Sequence, residues 1–332
     1  MKSYRNPIAG PTRMNARLLA ALKAGAGQWI MARDLGRGAG LAGLRLRRDV
    51  QRLRDLGFVI DEEPARFRLA HAPDVLLAEE IRAGLDTRVI GREVIVCERV
   101  ESTNDAAWEL ARWGAAEGTA VLAEEQTRGR GRMGRNWHSP RGGLWMSIIL
   151  NPATAADRAT VLTMAASVAV AKAIRELAGC HATIRWPNDI LVGGLKVAGL
   201  MVETHTINSP RETSVLGIGV DVNCTQFPDE IATMATSLAL QTGRDVRRAD
   251  LARLVFRLLD ERYLQLCRGE IAPVGEEWMA MSSTLGQRIT ILQNGRTYTG
   301  EVVDIDPEAG LMVRLDRGFV RAFKNEHVTV VK

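Results

Sequence analysis

The spacing of apolar residues changes twice along the chain, and each regime admits a different kind of layer. Between residues 14 and 56 apolar residues recur every three or four positions, as in Leu18, Leu19, Leu22 and again in Leu46, Val50, Leu53. That is the stripe of a short amphipathic helix. From Val89 to Arg268 strand-like runs such as Leu144–Leu150 alternate with helical stretches such as Asn104–Ala116 and Ala159–Ala178, an α/β pattern. From residue 285 apolar and polar residues alternate: Ile289, Ile291, then Val302, Val303, Ile305, then Leu311, Val313, Leu315, then Val328, Val330. Turns fall at Asn294-Gly295, Pro307–Gly310 and Asp316–Gly318, so this part predicts a small all-β barrel. At ~150 residues per domain, 332 residues allow two domains and a small third.

The first regime predicts three helices, at Asn15–Leu22, Met31–Gly36 and residues 42–56, the second closed by the Gly36–Gly40 turn. Phe58–Ile60 and Arg66–Leu69 then form a hairpin around Asp61-Glu62-Glu63-Pro64. Helix, helix, helix, hairpin is the order of a winged helix-turn-helix. Residues 1–70 hold 14 Lys and Arg against 6 Asp and Glu, a charge of +8 in a chain whose total is +5. A basic module on a slightly acidic body points to a polyanion as that module's partner. Arg45, Arg48 and Arg52 share one face of the third helix, with Arg47 beside them, as the DNA-binding candidates.

Four cysteines lie far apart with no C-x-x-C, which argues against a disulfide framework or a zinc site and fits a reducing cytoplasm. The longest uncharged stretch, Gly142–Ala156, is 15 residues, short of the ~20 that span a bilayer. No membrane partner is expected, and no apolar segment follows the N-terminal charges to read as a leader. There is no P-loop, no G-x-S-x-G, and no metal spacing among the five histidines.

Residues 125–140, Glu-Gln-Thr-Arg-Gly-Arg-Gly-Arg-Met-Gly-Arg-Asn-Trp-His-Ser-Pro, place Arg128, Arg130, Arg132 and Arg135 in eight positions among three glycines. Such a loop can wrap phosphate and carboxylate oxygens, and Trp137 offers a flat face to a base. Alone, the tract reads equally as a solvated basic loop or one that touches RNA. Downstream, Arg185-Trp-Pro-Asn-Asp189 precedes a Gly193-Gly194 hairpin turn and Lys196. The hairpin can aim Asp189 and Lys196 at one site, or be an ordinary polar turn. Ser102-Thr103-Asn104 precedes a helix, where capping is explanation enough, although a helix start also offers N–H groups to an anion or a urea-like carbonyl. Gly217-Ile-Gly219 fits close packing as well as a ligand.

In this order the five segments resemble the biotin protein ligases: Ser-Thr-Asn, the Gly-Arg loop with Trp-x-Ser-Pro, Trp-Pro-Asn-Asp, Lys-x-Ala-Gly-x-x-x-Glu, and Gly-Ile-Gly-x-x-x-Asn. The basic start and β-rich end resemble the bifunctional members that also repress the biotin operon. The resemblance implies an α+β protein. It has a winged helix-turn-helix (1–70), a linker (71–90), a central mixed α/β catalytic domain of the biotin/lipoate ligase, class II synthetase-like type (91–280), and a small SH3-like β-barrel (281–332). It implies biotin, ATP and Mg²⁺, with the biotin carboxyl carrier protein as acceptor, operator DNA of biotin genes as a second partner, and a homodimer on ligand binding. By the same resemblance Ser102, Thr103, Asn104, Gln126, Arg130, Gly131, Arg132 and Lys196 hold biotin. Arg130, Arg132, Trp137, Asn188, Asp189, Gly217, Gly219 and Asn223 hold the nucleotide, Asp189 meets the metal, and Lys196, Arg130, Arg132 and Asp189 are catalytic.

This chain departs from the family pattern in four places. Arg185 stands where Lys is usual, Met133 replaces a commonly basic loop position, Ala42-Gly43 replace Ser-Arg, and the hairpin is acidic. The rival classes are a sensor without catalysis, which need not cancel phosphate charge, and a lipoate ligase, which lacks this Arg-Gly loop.

Overall fold

The computed structural model describes residues 14–152, 158–207, 212–293, 295–306, 309–324 and 328–331. The first 13 residues and the expected turn residues Asn294 and Pro307 therefore lie outside it. Asn15 starts the first helix by accepting the Leu18 N–H at 2.9 Å, the bond expected of an N-cap. Helices α1 (Ala16–Ala24), α2 (Ala32–Ala39) and α3 (Gly43–Asp55) bury Leu18, Leu22, Leu35, Val50 and Leu53 together. Strands β1 (Ile30–Met31), β2 (Val59–Glu63) and β3 (Arg66–His71) close that core in the order β1-β3-β2. The second helix does not stop at Gly36. A Cβ there would lie 2.5 Å from the Leu41 carbonyl oxygen, so Gly36 serves packing, and the chain reverses instead at Gly40 (φ +68).

The linker helix α4 (Ala78–Arg82) lies across both cores. Leu77 belongs to the N-terminal core, while Ala78 and Ile81 belong to the central one. Glu80 Oε1 binds Lys23 Nζ at 2.5 Å and also the Arg247 guanidinium, and Glu79 accepts the Met14 N–H at 3.0 Å.

The central sheet holds β4 (Val94–Val100), β5 (Ala120–Gln126), β6 (Leu144–Leu150), β7 (Thr183–Arg185), β8 (Asp189–Val192), β9 (Leu195–Thr206) and β10 (Glu212–Val220). Their spatial order is β4-β5-β6-β10-β9-β8-β7, with β4 and β5 parallel and the other neighbours antiparallel. One face is covered by α6 (Arg158–Ala178) and α8 (Arg248–Cys267), which bury Leu122, Met146, Ile148, Leu216 and Ile218. The opposite face carries α5 (Thr103–Arg112), packed on Val121, Ala123, Ile149 and Val215. Burial on both faces is why β6 is apolar at every position but Ser147. Asp189, expected on a turn, is the first residue of β8, and the turn before it is made by a cis Trp186–Pro187 bond and Asn188. Short helix α7 (Leu238–Thr242) precedes α8, and α9 (Ala272–Ala280), for which the sequence carries no expectation, uses its proline at the helix start.

The C-terminal strands β11 (Arg288–Gln293), β12 (Arg296–Asp306), β13 (Gly310–Leu315), β14 (Val320–Phe323) and β15 (Val328–Val331) are antiparallel in the order β14-β13-β12-β11-β15. The expected barrel is here an open five-stranded sheet: its two four-residue edge strands pair only inward among the described residues. No helix among the described residues is long and apolar enough to cross a membrane.

Arg248, at the start of α8, is 2% exposed. Its Nε binds Asp74 at 2.7 Å, one NH1 binds Glu124 at 2.8 Å, and the same nitrogen donates to Gly143 O at 3.0 Å. Glu124 also accepts the Leu76 N–H at 2.7 Å. Burial opposes the guanidinium charge, but Glu124 and Asp74 together raise it above its ordinary pKa. Removing one partner of such a cluster strands buried charge at a typical cost of about 3–5 kcal/mol. Arg248→Met should therefore lower the calorimetric Tm on the order of 10 °C. Arg288→Ala, which breaks the exposed Arg288–Asp316 pair, should leave the Tm where it is.

Candidate active site

Cross-strand register lines up three rows of residues on the α5 face. The first runs Ala123, Trp145, Gly219, Gly199, Asp189, Arg185 from β5 to β7. The second runs Val121, Ser147, Gly217, Met201, and the third includes Ile149, Val215, Glu203. The alternate glycines of β10 thus face the site while Leu216, Ile218 and Val220 face the core. A Cβ on Gly217 would lie 2.4 Å from Asn104 Oδ1, and one on Gly219 would lie 2.5 Å from Trp137 Nε1. Together with Gly199, 2.9 Å from the same indole, these positions form a trough that only glycine can line.

At one end of the face Ser102, Thr103 and Asn104 are all buried. The simple capping explanation fails, because the Ser102 side chain makes no cap bond. Instead the Thr103 N–H donates to Gln126 Oε1 at 2.8 Å, Gln126 Nε2 donates to Ser139 Oγ at 2.8 Å, and Ser139 Oγ donates to Trp137 O at 3.0 Å. Ser147 Oγ lies 2.7 Å from Thr103 Oγ1 and 2.6 Å from Asn104 Oδ1. Asn104 Nδ2 and Trp108 Nε1 both donate to Glu203 Oε2, at 2.9 and 3.0 Å. Ser147 stands outside every quoted motif, and Glu203 closes the Lys-x-Ala-Gly-x-x-x-Glu motif without a role of its own. The period of two signals both: each lies an even number of residues from a site-facing glycine or tryptophan on its own strand.

At the other end Lys196 Nζ lies 2.5 Å from Asp189 Oδ1 and 4.8 Å from the centre of the Trp137 ring. Arg185 takes the second oxygen of Asp189 at 2.7 Å. Arg132 NH1 donates to Asn188 Oδ1 at 3.3 Å, and Asn188 Nδ2 donates to Leu200 O at 2.6 Å. Burial draws the Arg132 guanidinium below its ordinary pKa, with Asp189 opposing and Arg135 reinforcing. Trp137 Nε1 is buried without a hydrogen-bond partner among the described residues. Asp221, also missed, is buried just beyond β10. Desolvation pushes its carboxyl up to about 8 against the pull of Cys224 and Lys196, and the adjacent Cys224 thiol is pushed up to about 12.

Between the two ends lies the Gly-Arg loop. Its hairpin is closed by Gly131 N–H on Arg135 O at 2.7 Å. Arg130 is held away from Asp189: it binds Asp105 at 2.5 Å and Glu203 at 3.5 Å. The Asp105 hydrogen bond raises its pKa further.

Both oxygens of Asp189 face cations, Arg185 and Lys196, and among the described residues no three His, Cys, Asp or Glu gather in one place. Asn223 bonds within the scaffold: its amide oxygen accepts the Val246 N–H, and its nitrogen donates to Val246 O and Asp74 Oδ2, each at 2.9 Å. In the N-terminal module Arg45 and Arg48 are exposed, Arg47 pairs with Glu62 at 3.5 Å, and Arg52 pairs with Asp49 at 3.2 Å.

Residues 96–221 match the model of the biotin/lipoate A/B protein ligase family, and residues 284–330 match the biotin protein ligase C-terminal domain. The bifunctional ligase/repressor BirA of Bacillus subtilis is 33% identical over 300 residues, covering 89% of this chain and 92% of that protein. A biotin–[acetyl-CoA-carboxylase] ligase of Mycobacterium tuberculosis is 32% identical over 229 residues, 66% of this chain and 82% of its own length. Among solved structures, the biotin protein ligase of Aquifex aeolicus in complex with biotin and ATP superposes with a TM-score of 0.64 at 27% identity, covering 73% of this chain and 99% of that one.

The Asp221 carboxyl gives a pH test of this geometry. Folded, it keeps its proton to about pH 8, whereas its unperturbed value is 3.8. The native state therefore binds more protons between those limits, and stability at this group falls as pH rises through them. Asp221→Asn should match the wild-type Tm near pH 4 and exceed it increasingly toward pH 8, as followed by a thermal-shift series. A difference that does not change with pH would show that Asp221 is ionised in the fold.

Proposed function

The chain belongs to the biotin protein ligase family, and from that membership we propose how its site joins biotin to ATP as biotinyl-5′-AMP and then to a lysine of the biotin carboxyl carrier protein. In the first step a biotin carboxylate oxygen attacks the α-phosphorus, and the bond to the bridging oxygen breaks to release pyrophosphate. In the second the carrier lysine nitrogen attacks the acyl carbon, loses a proton and expels AMP. Two anions must meet in step one, so the site needs cations aimed at the α-phosphate. The observation that carries this reading is the Asp189–Lys196 pair at 2.5 Å, set beside Trp137 and next to Arg132 and Arg185. The carrier brings its own nucleophile, so the chain needs none.

The roles follow the two ends of the face. Ser102, Thr103, Asn104 and Gln126 take the ureido ring of biotin, their hydroxyls and amides supplying both donors and acceptors. Lys196 holds the activated carboxyl-phosphate, with Asp189 fixing its ammonium. Arg130, Gly131 and Arg132 close over the acyl-phosphate and exclude water from an adenylate that hydrolyses readily. Asn188 positions Arg132, and Gly217 and Gly219 keep the floor low. Trp137 packs on adenine, its flat ring set beside Lys196 and over the glycines of the trough. Asn223 braces the floor from below rather than touching the nucleotide.

We assign residues 1–70 as a winged helix-turn-helix, 71–90 as the linker, 91–280 as the catalytic domain and 281–332 as an SH3-like unit without closure. By analogy with the bifunctional relatives, the N-terminal module binds operator DNA of biotin genes through Arg45, Arg47, Arg48 and Arg52, as a homodimer favoured by biotinyl-AMP. The decisive experiment incubates the chain with biotin, Mg-ATP and a biotin carboxyl carrier domain. A carrier mass increased by one biotinyl group is expected, and an unmodified carrier would overturn the assignment.

Lys196→Ala should slow single-turnover adenylate formation by about 10²–10³, the usual cost of removing a group that meets developing charge, while biotin binding measured by calorimetry changes far less. In the DNA module Glu62 pairs with Arg47 at 3.5 Å and with Arg54 at 3.2 Å, so the acidic hairpin competes with phosphate for α3. Glu62→Gln should tighten duplex binding and steepen the dependence of log K on log salt by about 0.9, one further phosphate neutralised. Fluorescence anisotropy over a salt series reads both, and an unchanged slope would exclude shielding by the hairpin.

A further inference from the structure

Glu203 makes no contact that the adenylation chemistry itself requires, yet it organises the buried end of the site. It stands on the α5 face of β9 opposite Val215. Its Oε2 accepts from Asn104 Nδ2 at 2.9 Å and from Trp108 Nε1 at 3.0 Å, and its Oε1 faces Arg130 NH2 at 3.5 Å. A carboxylate only accepts and an indole nitrogen only donates. The Asn104 amide therefore has one permitted orientation, nitrogen on Glu203 and oxygen on Ser147. Ser147 has a single proton, and an amide oxygen can only accept, so that proton goes to Asn104 Oδ1 at 2.6 Å. The Thr103 hydroxyl lies 2.7 Å from Ser147 Oγ and donates to Gln126 Oε1 at 3.0 Å.

This arrangement leaves a remainder. Asn104 is 4% exposed, and one of the two N–H groups on its Nδ2 has no partner among the described residues. A buried donor left unpaired is costly unless a ligand supplies the acceptor. We propose that Glu203 is a positioning residue that locks the Asn104 amide so that its free N–H is held as a donor for the carbonyl oxygen of a urea. The assignment rests on the biotin reading above, since a cyclic urea is the ligand with that oxygen. Glu203 acts through Asn104 and does not touch substrate. What matters is that an acceptor sits at the Oε2 position, more than the charge that comes with it.

Two variants separate acceptor, charge and volume. In Glu203→Gln the donor-only Trp108 draws the new amide oxygen into the Oε2 position, so the lock survives. Glu203→Met keeps the stem and its bulk but offers no acceptor. For adenylate formation, read as pyrophosphate release, Glu203→Gln should keep the biotin KM within about threefold of wild type. Glu203→Met should raise it by about tenfold or more, a loss in keeping with a hydrogen bond to a charged group, while the ATP KM and kcat stay within about twofold. If the two variants raise the biotin KM equally, charge or the hold on Arg130 is what counts and the proposal falls. It falls too if Glu203→Met leaves the biotin KM alone, or lowers kcat and both KM values together as general damage would. Should Glu203→Met not fold, Glu203→Gln decides alone: a tenfold rise in biotin KM at unchanged Tm overturns the lock. Wild-type protein that forms no adenylate from biotin overturns the biotin reading itself, an outcome distinct from all of these.

Discussion

A guanidinium as deeply buried as that of Arg248 is tolerable only where carboxylates and carbonyls meet it from several directions. Here they come from three parts of the chain that are distant in sequence: the linker (Asp74), β5 (Glu124) and the turn before β6 (Gly143). Glu124 is two residues before Gln126, and Gly143 is three residues after Pro140, the end of the Gly-Arg loop. Both ends of the Gly-Arg loop are thus anchored to one buried ion cluster. Asn223 joins the same cluster through Asp74. A site built on a loop needs a fixed frame, and Arg248 supplies the fixed points.

Four cations near the trough, Lys196, Arg185, Arg130 and Arg132, each already have a carboxylate or an amide oxygen as partner. Lys196 and Arg185 share Asp189, and Arg130 is shared by Asp105 and Glu203. Cations that are paired before substrate arrives do not repel one another, which lets several be stored in a small volume. An incoming triphosphate then exchanges one anionic partner for another. The partners of Arg130, Asp105 and Glu203, lie toward the Asn104 end of the face. Met133, left-handed at φ +57 although it is not glycine, sits in the same segment and marks it as a turn held against its own preference.

Much of this was legible in the residues themselves. The motifs located Thr103, Asn104, Gln126, Trp137, Asp189 and Lys196, and the structure gathers them on one face of one sheet. What they could not show was register. Asp189 looks like a turn residue after Pro187 and Asn188, but pairing with Gly199 makes it the start of a strand. Gly217 and Gly219 looked equally like packing glycines and ligand glycines, and they do accommodate other side chains of the site, Asn104 and Trp137. Ser147 lies in no motif, and the contacts of Glu203 do not follow from its motif position, because their neighbours are fixed only when β6, β10 and β9 align. Asn223 carried a motif position, yet long-range contacts with Val246 and Asp74, invisible in one dimension, claim its amide.

The bolt formed by α4 has a consequence for geometry on DNA. Leu77 is sunk in one core and Ile81 in the other, while Glu80 bridges Lys23 of α1 to Arg247 at the head of α8. The N-terminal module therefore meets the body through packing and an ion bridge as well as through the chain that joins them. In a two-fold assembly of such chains the distance and phase between the two α3 helices would be set by the way the bodies meet. The half-site spacing of any cognate duplex would then be a length cut by the enzyme's own frame. Inserting or deleting base pairs between half-sites would have to be absorbed by bending the DNA.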